Sequence, residues 1–251
     1  MKNWFRRKED RPGAGAVFPA GYADLHSHIL PGLDDGAASL EDSLSLLDEM
    51  VGLGIRRFVC TPHVMEGVWN NTSDQIRFSL EAVGKVVDER YAGEVRITAA
   101  AEYMIDGGIM NLIRDRDLLP LSDNLVLVEM SYIAPPLHLY SALAELQVAG
   151  YRPVLAHPER YFFYHDDWEA YLKLKEAGCL FQMNLLSLSH YYGKSVRKVA
   201  EKLMKEGLYD MVGSDLHHAR HMAHLKELTG KKGFWKLAGE LIRKNEEWLR
   251  V

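Results

Sequence analysis

Between residues 22 and 213 the chain repeats one pattern: a short apolar run, then, in most intervals, a longer amphipathic stretch. The apolar runs are Tyr22–His26, Arg56–Thr61, Val95–Ala101, Leu125–Met130, Pro153–Ala156, Leu180–Asn184 and Tyr209–Gly213. Helical patterns fall near residues 39–53, 73–91, 136–149, 167–177 and 193–206, with one more near 233–249. Strands separated by helices cannot pair as hairpins; they form a parallel sheet through right-handed crossovers. Seven such units in 251 residues fit a closed or nearly closed α/β barrel better than two small domains. No Ser- or Pro-rich linker interrupts residues 22–251, so this span reads as a single barrel domain. Local signals agree. Ser39 with Asp42, and Thr72 with Gln75, have capping-box spacing. Gly150, Gly178 and Gly207 each follow a helical stretch and suit left-handed helix ends.

Residues 1–21 contrast with the rest. Pro12, Gly13, Gly15, Pro19 and Gly21 resist regular structure, and the stretch reads as a flexible arm with no signal-peptide core. Its basic cluster, Arg6, Arg7 and Lys8, is diluted by Glu9 and Asp10 and attracts an anionic surface only weakly. A net charge of -5 gives no reason to expect a nucleic-acid partner. No apolar run approaches the roughly 20 residues of a membrane span. Two distant cysteines, Cys60 and Cys179, make no disulfide framework, so a reducing cytoplasm is the expected location.

The ends of the strands carry the chemistry. The first run leads to His26 and His28, the second to His63, the third to Glu102 and the fourth to Glu129. The fifth leads to His157 and then Arg160, and the last to Asp215 and His217. In parallel α/β folds the carboxyl ends of all strands share one face, where sites form. Residues i and i+2 of a strand face one side, so His26 with His28, and Asp215 with His217, can each share an ion. Imidazole and carboxylate donors suit zinc, manganese or iron, and no thiolate is among them. In the loop after the first strand, Asp34 and Asp35 are both available. Asp35 is preferred as the bridging ligand because Gly36 beside it leaves room for close approach.

The set is then five histidines (His26, His28, His63, His157, His217) and four carboxylates (Asp35, Glu102, Glu129, Asp215). Two divalent ions would balance the four carboxylates; a third leaves a positive surplus suited to a phosphate dianion or hydroxide. Nine donors exceed what two ions need, which favours three. Adjacent divalent ions activate water and clamp phosphoryl oxygens during in-line attack. Arg160 offers a bidentate fork to phosphate, and Arg220 is a second, weaker candidate. Arg160, Asp35 and His217 are therefore the expected catalytic groups, the latter two standing where a leaving oxygen can be protonated. A cysteine phosphatase needs arginine six residues past its nucleophile, yet Glu66 and Leu185 stand there. No P-loop, GxSxG or HExxH pattern is present. His138, His165, His190, His218, His221 and His224 read as surface residues. Trp69 is expected to border the pocket, and Tyr161 to pack beneath a loop.

DLHSHILPGLDDG at 24–36, TPH at 61–63, AEYMID at 101–106, LVEM at 127–130, AHPERY at 156–161 and GSDLHH at 213–218 together resemble the PHP (polymerase and histidinol phosphatase) superfamily. Within it they are most similar to the CpsB-type bacterial protein-tyrosine phosphatases of capsule and exopolysaccharide loci. The resemblance implies a distorted (β/α)7 TIM-like barrel and a trinuclear site, usually with manganese. It also implies a phosphotyrosine substrate on the tail of a polysaccharide-assembly tyrosine kinase, through which alone the protein would meet a membrane. The nine ligand positions and Arg160 all coincide with the family motifs. A histidinol-phosphatase-like enzyme and a catalytically silent metal-bound docking module stand as alternatives. An amidohydrolase is a third, and it wants a barrel lysine that no strand end offers.

Overall fold

The computed structural model describes residues 18–248, so residues 1–17 of the expected arm lie outside it. The remainder of that arm is packed: Phe18 is buried, its N–H donates to Leu53 O at 2.9 Å, and its ring stacks on Tyr22.

The strands in chain order are β1 (Ala23–Ser27), β2 (Arg57–Cys60), β3 (His63–Val64), β4 (Arg96–Ala99) and β5 (Glu102–Met104). β6 (Leu125–Glu129), β7 (Arg152–Ala156), β8 (Leu180–Asn184) and β9 (Met211–Gly213) follow. Every ladder between them is parallel. They fall into two sheets, β1-β2-β4 and β3-β5-β6-β7-β8-β9. β2 and β3 are two pieces of one barrel stave, separated by Thr61 and Pro62; β4 and β5 are pieces of the next, separated by Ala100 and Ala101. Proline has no N–H to give a ladder, which accounts for the first break. Hydrogen bonds carry on across both gaps, from Ala100 N to Cys60 O at 2.8 Å and from Glu102 N to Pro62 O at 3.1 Å. The circle closes where Asp215 N donates to His26 O at 2.8 Å and His28 N to Leu216 O at 2.9 Å. The seven expected strands are thus seven staves of a distorted α/β barrel.

The outer helices are α1 (Leu40–Gly52), α2 (Ser73–Tyr91), α3 (Ile109–Asp115), α4 (Leu139–Val148), α5 (Trp168–Glu176), α6 (Lys194–Lys205), α7 (Ala219–Thr229) and α8 (Lys232–Trp248). Among these described helices none is long and apolar enough to cross a membrane. Thr72 and Gln75 form the full reciprocal capping box at the start of α2, whereas Ser39 caps α1 by accepting from Asp42 N alone. Gly150, Gly178 and Gly207 take positive φ, as read from the sequence. Two helices were not foreseen. α3 is only seven residues long. α7 buries Met222, Leu225 and Leu228 along one face and carries His221 with them, so His221 is a buried residue rather than a surface one.

Two apolar layers hold the barrel. The larger lies between staves and helices. The smaller, including Leu25, Val59, Leu127, Val154 and Met211, fills the bore. In β1 the register slips by one residue between Asp24 and Ser27. This bulge reverses the alternation, so His26 follows Leu25 onto the inner face instead of pointing away from it. The apolar filling of the bore therefore gives way abruptly to imidazole.

Candidate metal centre

The carboxyl ends of the staves gather the candidate ligands into one buried knot. His26 Nε2 lies 3.0 Å from His28 Nε2, and Glu102 Oε2 is 3.2 Å from the first and 3.4 Å from the second. Asp215 Oδ1 is 3.4 Å from both ring nitrogens. His63 Nδ1 lies 3.1 Å from Glu102 Oε2 and 2.9 Å from Glu129 Oε1. His157 Nε2 is 3.1 Å from Glu102 Oε1. His217 stacks on His28 with ring centroids 3.8 Å apart. Asp35 closes the edge: its Oδ1 is 3.5 Å from His217 Nε2 and 3.7 Å from His63 Nε2, and its side chain is more than half exposed. All nine positions named from the sequence are brought together, with Glu102 at the centre.

The donor set fits divalent ions. Four overlapping groups have ligand atoms within 4.8 Å of one another: His28–His63–His217, His26–His28–Glu102, His26–His157–Asp215 and His63–Glu102–Glu129. Ligands about 2.1 Å from one ion and at right angles sit roughly 3 Å apart, the spacing seen here. His63 Nδ1, close as it is to two carboxylates, has no hydrogen bond of acceptable angle, and the buried His157 Nδ1 has no partner at all. Buried polar atoms are rarely left so. A cation held between His63 Nδ1, Glu102 and Glu129 would satisfy the first of them.

Charge points the same way. Burial works against ionising either Glu102 or His63, but their mutual attraction wins. Glu102 is held well below the usual carboxylate range by His26 and His63, while His63 is lifted to about 10 by Glu102 and Glu129. Asp215 is likewise held low, against burial, by His26 and His217. Glu129 is pushed up by burial and then by Glu102. By contrast, burial holds His157 and His217 down to about 4, assisted by Arg160 and His28 respectively. Those two imidazoles are neutral at ordinary pH, the form that binds metal.

Backbone strain concentrates here. Among the described residues five non-glycine residues take positive φ, and two of them are His157 at 35° and Asp215 at 51°. For such residues the left-handed region costs on the order of 1 kcal/mol, and it turns both strand ends towards the bore. Gly36 is required for a different reason: any Cβ there would run into the His28 backbone. The room it makes serves His28 and Asp34, not Asp35 as the sequence suggested.

A surrounding layer of polar groups holds the ligands. Asp34 Oδ2 accepts from His28 Nδ1 at 2.7 Å and from His63 N at 2.9 Å. Gln182 Oε1 is 2.8 Å from His26 Nδ1. Asn184 Nδ2 donates to Asp215 Oδ2 at 2.7 Å. Such contacts fix the tautomer and direction of ligand side chains. Gln182 and Asn184 come from the sixth stave, the only one whose end showed no acid or histidine in the sequence. Arg160 Nη1 donates to Asp215 Oδ2 at 2.6 Å, and its guanidinium lies between the rings of Tyr132 and Tyr192, 4.8 and 4.3 Å from their centroids. Above the knot opens a cavity of about 580 Å³ whose walls include Trp69, Met104, Tyr132 and Arg160. Trp69 stacks on His63 at 4.7 Å, bordering the pocket as expected. Tyr161 is fully buried, its OH donating to Ala156 O. Arg220 is not among the cavity's walls; its guanidinium lies over Tyr191 instead. Both cysteines are buried, which pushes their thiols up to about 12 and removes them as nucleophiles.

The model of the capsular polysaccharide synthesis family CpsB/CapC matches residues 22–247. This chain belongs to the CpsB/CapC family. Among its relatives is tyrosine-protein phosphatase YwqE of Bacillus subtilis, 31% identical over 199 residues, 78% of each chain. Tyrosine-protein phosphatase CpsB of Streptococcus pneumoniae is 28% identical over 88% of this chain and 95% of its own. A solved structure from work on those two proteins, described as metal-dependent tyrosine phosphatases, matches this CpsB/CapC chain with a TM-score of 0.74. Its identity is 28%, and the match covers 88% of this chain and 94% of that one. A lactonase from Listeria monocytogenes, 14% identical with a TM-score of 0.52 over 93% of each chain, shares the fold alone.

Proposed function

We propose that this CpsB/CapC protein is a metal-dependent protein-tyrosine phosphatase. The observation that carries the reading is the buried knot of His26, His28, His63, Glu102, Glu129, His157, Asp215 and His217, with Arg160 directed into the same cavity. These eight residues and Asp35 would hold the ions, three of them by the number of donors, with manganese favoured over iron or zinc. Bound divalent ions supply an activated water and neutralise phosphoryl charge. The chain's own residues do the rest. Arg160, stiffened between two tyrosine rings, presents its guanidinium to a phosphate oxygen. Asp35 stands at the solvent edge, where the leaving tyrosyl oxygen must take up a proton, and His217 beside it, a neutral imidazole, would serve the reaction through the ion it holds. Trp69 and Tyr132 supply aromatic walls for a phenyl ring. These aromatic walls favour a phosphotyrosyl ring over serine and threonine phosphates.

The substrate we infer is the phosphorylated tail of a polysaccharide-assembly tyrosine kinase, met in the cytoplasm. Hydrolysis of a phosphotyrosyl peptide and of histidinol phosphate, each with added manganese and after chelation, tests this. We expect metal-dependent turnover of the peptide and little of histidinol phosphate. A reversed preference would move the protein to small-molecule phosphatases, and no turnover of either would leave a docking module.

A further inference from the structure

The cavity opens between two loops that carry apolar surface with no use in the fold. Among the described residues ten large apolar side chains are exposed, and five of these belong to the stretches bordering the mouth. Val68 stands on the loop between β3 and α2; Tyr132, Ile133, Leu137 and Tyr140 lie within nine residues between β6 and the start of α4. Ile133 is 91% exposed and Leu137 completely so. Met65 and Trp69 from the first loop, and Ser131, Tyr132 and Ile133 from the second, line the cavity itself, so the apolar surface is continuous with the site.

The second loop is held. Pro135 and Pro136 fix two backbone angles. Ile133 N donates to Ser131 Oγ at 3.2 Å, Leu139 N donates to Pro136 O at 3.1 Å, and His138 Nε2 bonds Asp106 O at 2.8 Å. Side chains displayed on a fixed loop lose little freedom when something covers them. A small phosphate ester would fit inside a 580 Å³ cavity and leave this surface idle.

We propose that the loop is a docking platform for the polypeptide around a phosphotyrosine. The phosphorylated ring enters the cavity, and apolar neighbours on the two sides of the tyrosine rest against Ile133 and Leu137, and against Val68. This rests on the phosphotyrosine reading above and adds a sequence preference to it: substrates carry apolar residues flanking the tyrosine.

The test uses the full-length, manganese-loaded protein and its Val68→Ser/Leu137→Ser variant, which changes two platform residues that do not line the cavity itself. Three substrates are compared: a phosphotyrosyl peptide with leucine and valine flanks, the same peptide with serine flanks, and p-nitrophenyl phosphate. We expect the wild type to favour the apolar peptide by about fivefold or more in KM. The variant should lose that preference while hydrolysing p-nitrophenyl phosphate as before. Equal KM values for the two peptides in the wild type, or a preference that survives in the variant, overturn the platform while leaving the phosphatase intact. Turnover of p-nitrophenyl phosphate with neither peptide overturns the phosphotyrosine reading, and the platform with it. Cosedimentation with phosphatidylglycerol vesicles that the variant loses, with peptide kinetics unmoved, reassigns the loop to a lipid surface.

Discussion

Towards one end of the barrel's bore Leu25, Val59, Leu127 and Met211 are at most 1% exposed; towards the other His26, His28, Glu102 and Asp215 are no more exposed than that. Solvent access does not distinguish the two regions. What differs is how each set of atoms is satisfied. The apolar set needs only contact, and each side chain gains from leaving water. The ionisable set is costly to bury, and its members settle by attraction, by amide supports and by strained backbone. Even so, His63 Nδ1 and His157 Nδ1 find no hydrogen bond. A region that stays unsatisfied while fully buried is organised for something other than stability. The first region makes the barrel, and the second uses it.

The contrast can be broken most directly at Asp215. Replacing Asp215 with alanine should reduce phosphatase activity to background and lower the metal content per chain, with circular dichroism unchanged; retained turnover would mean that the site is misassigned. Leu127→Ala, in the apolar part of the bore, should do the reverse. It should destabilise the fold by about 2–5 kcal/mol in chemical denaturation, with kcat per folded molecule kept. The supports behind the ligands come next. Gln182→Ala frees His26 Nδ1 and should weaken metal binding about 10- to 100-fold, measured by titration of metal-stripped protein. Wild-type affinity would show that the glutamine is only packing. The smallest change belongs to Arg160→Lys, which keeps the charge but loses the planar fork. A KM raised about tenfold is expected, with full metal content; loss of metal instead would place Arg160 among the supports of Asp215.

Much of this was legible along the chain because strand ends in a parallel barrel converge by topology. Once seven apolar runs are recognised, the histidines and acids that follow them have little choice but to meet. The supports were illegible for the converse reason. Gln182 and Asn184 sit in an apolar run and carry no charge; an amide announces nothing until its partner is in place. Asp34 and Asp35 are neighbours, and only the path of the backbone past Gly36 turns one behind His28 and leaves the other at the edge. Tyr132 and Tyr192 flank Arg160 from loops on two different staves, a relation with no fixed spacing. α7 was missed because its histidines resemble a polar loop, although His221 packs on the buried side with Met222 and Leu225.

By itself, then, the order of residues determined the barrel, the nine candidate ligands and Arg160, because hydrophobic period and parallel topology are local and additive signals. Only the tertiary structure decided which atoms face one another: the bulge that turns His26 inward, the left-handed turns at His157 and Asp215, and the amides that hold them. Those features arise from closing a ring of staves, a condition on the whole chain that no single segment contains.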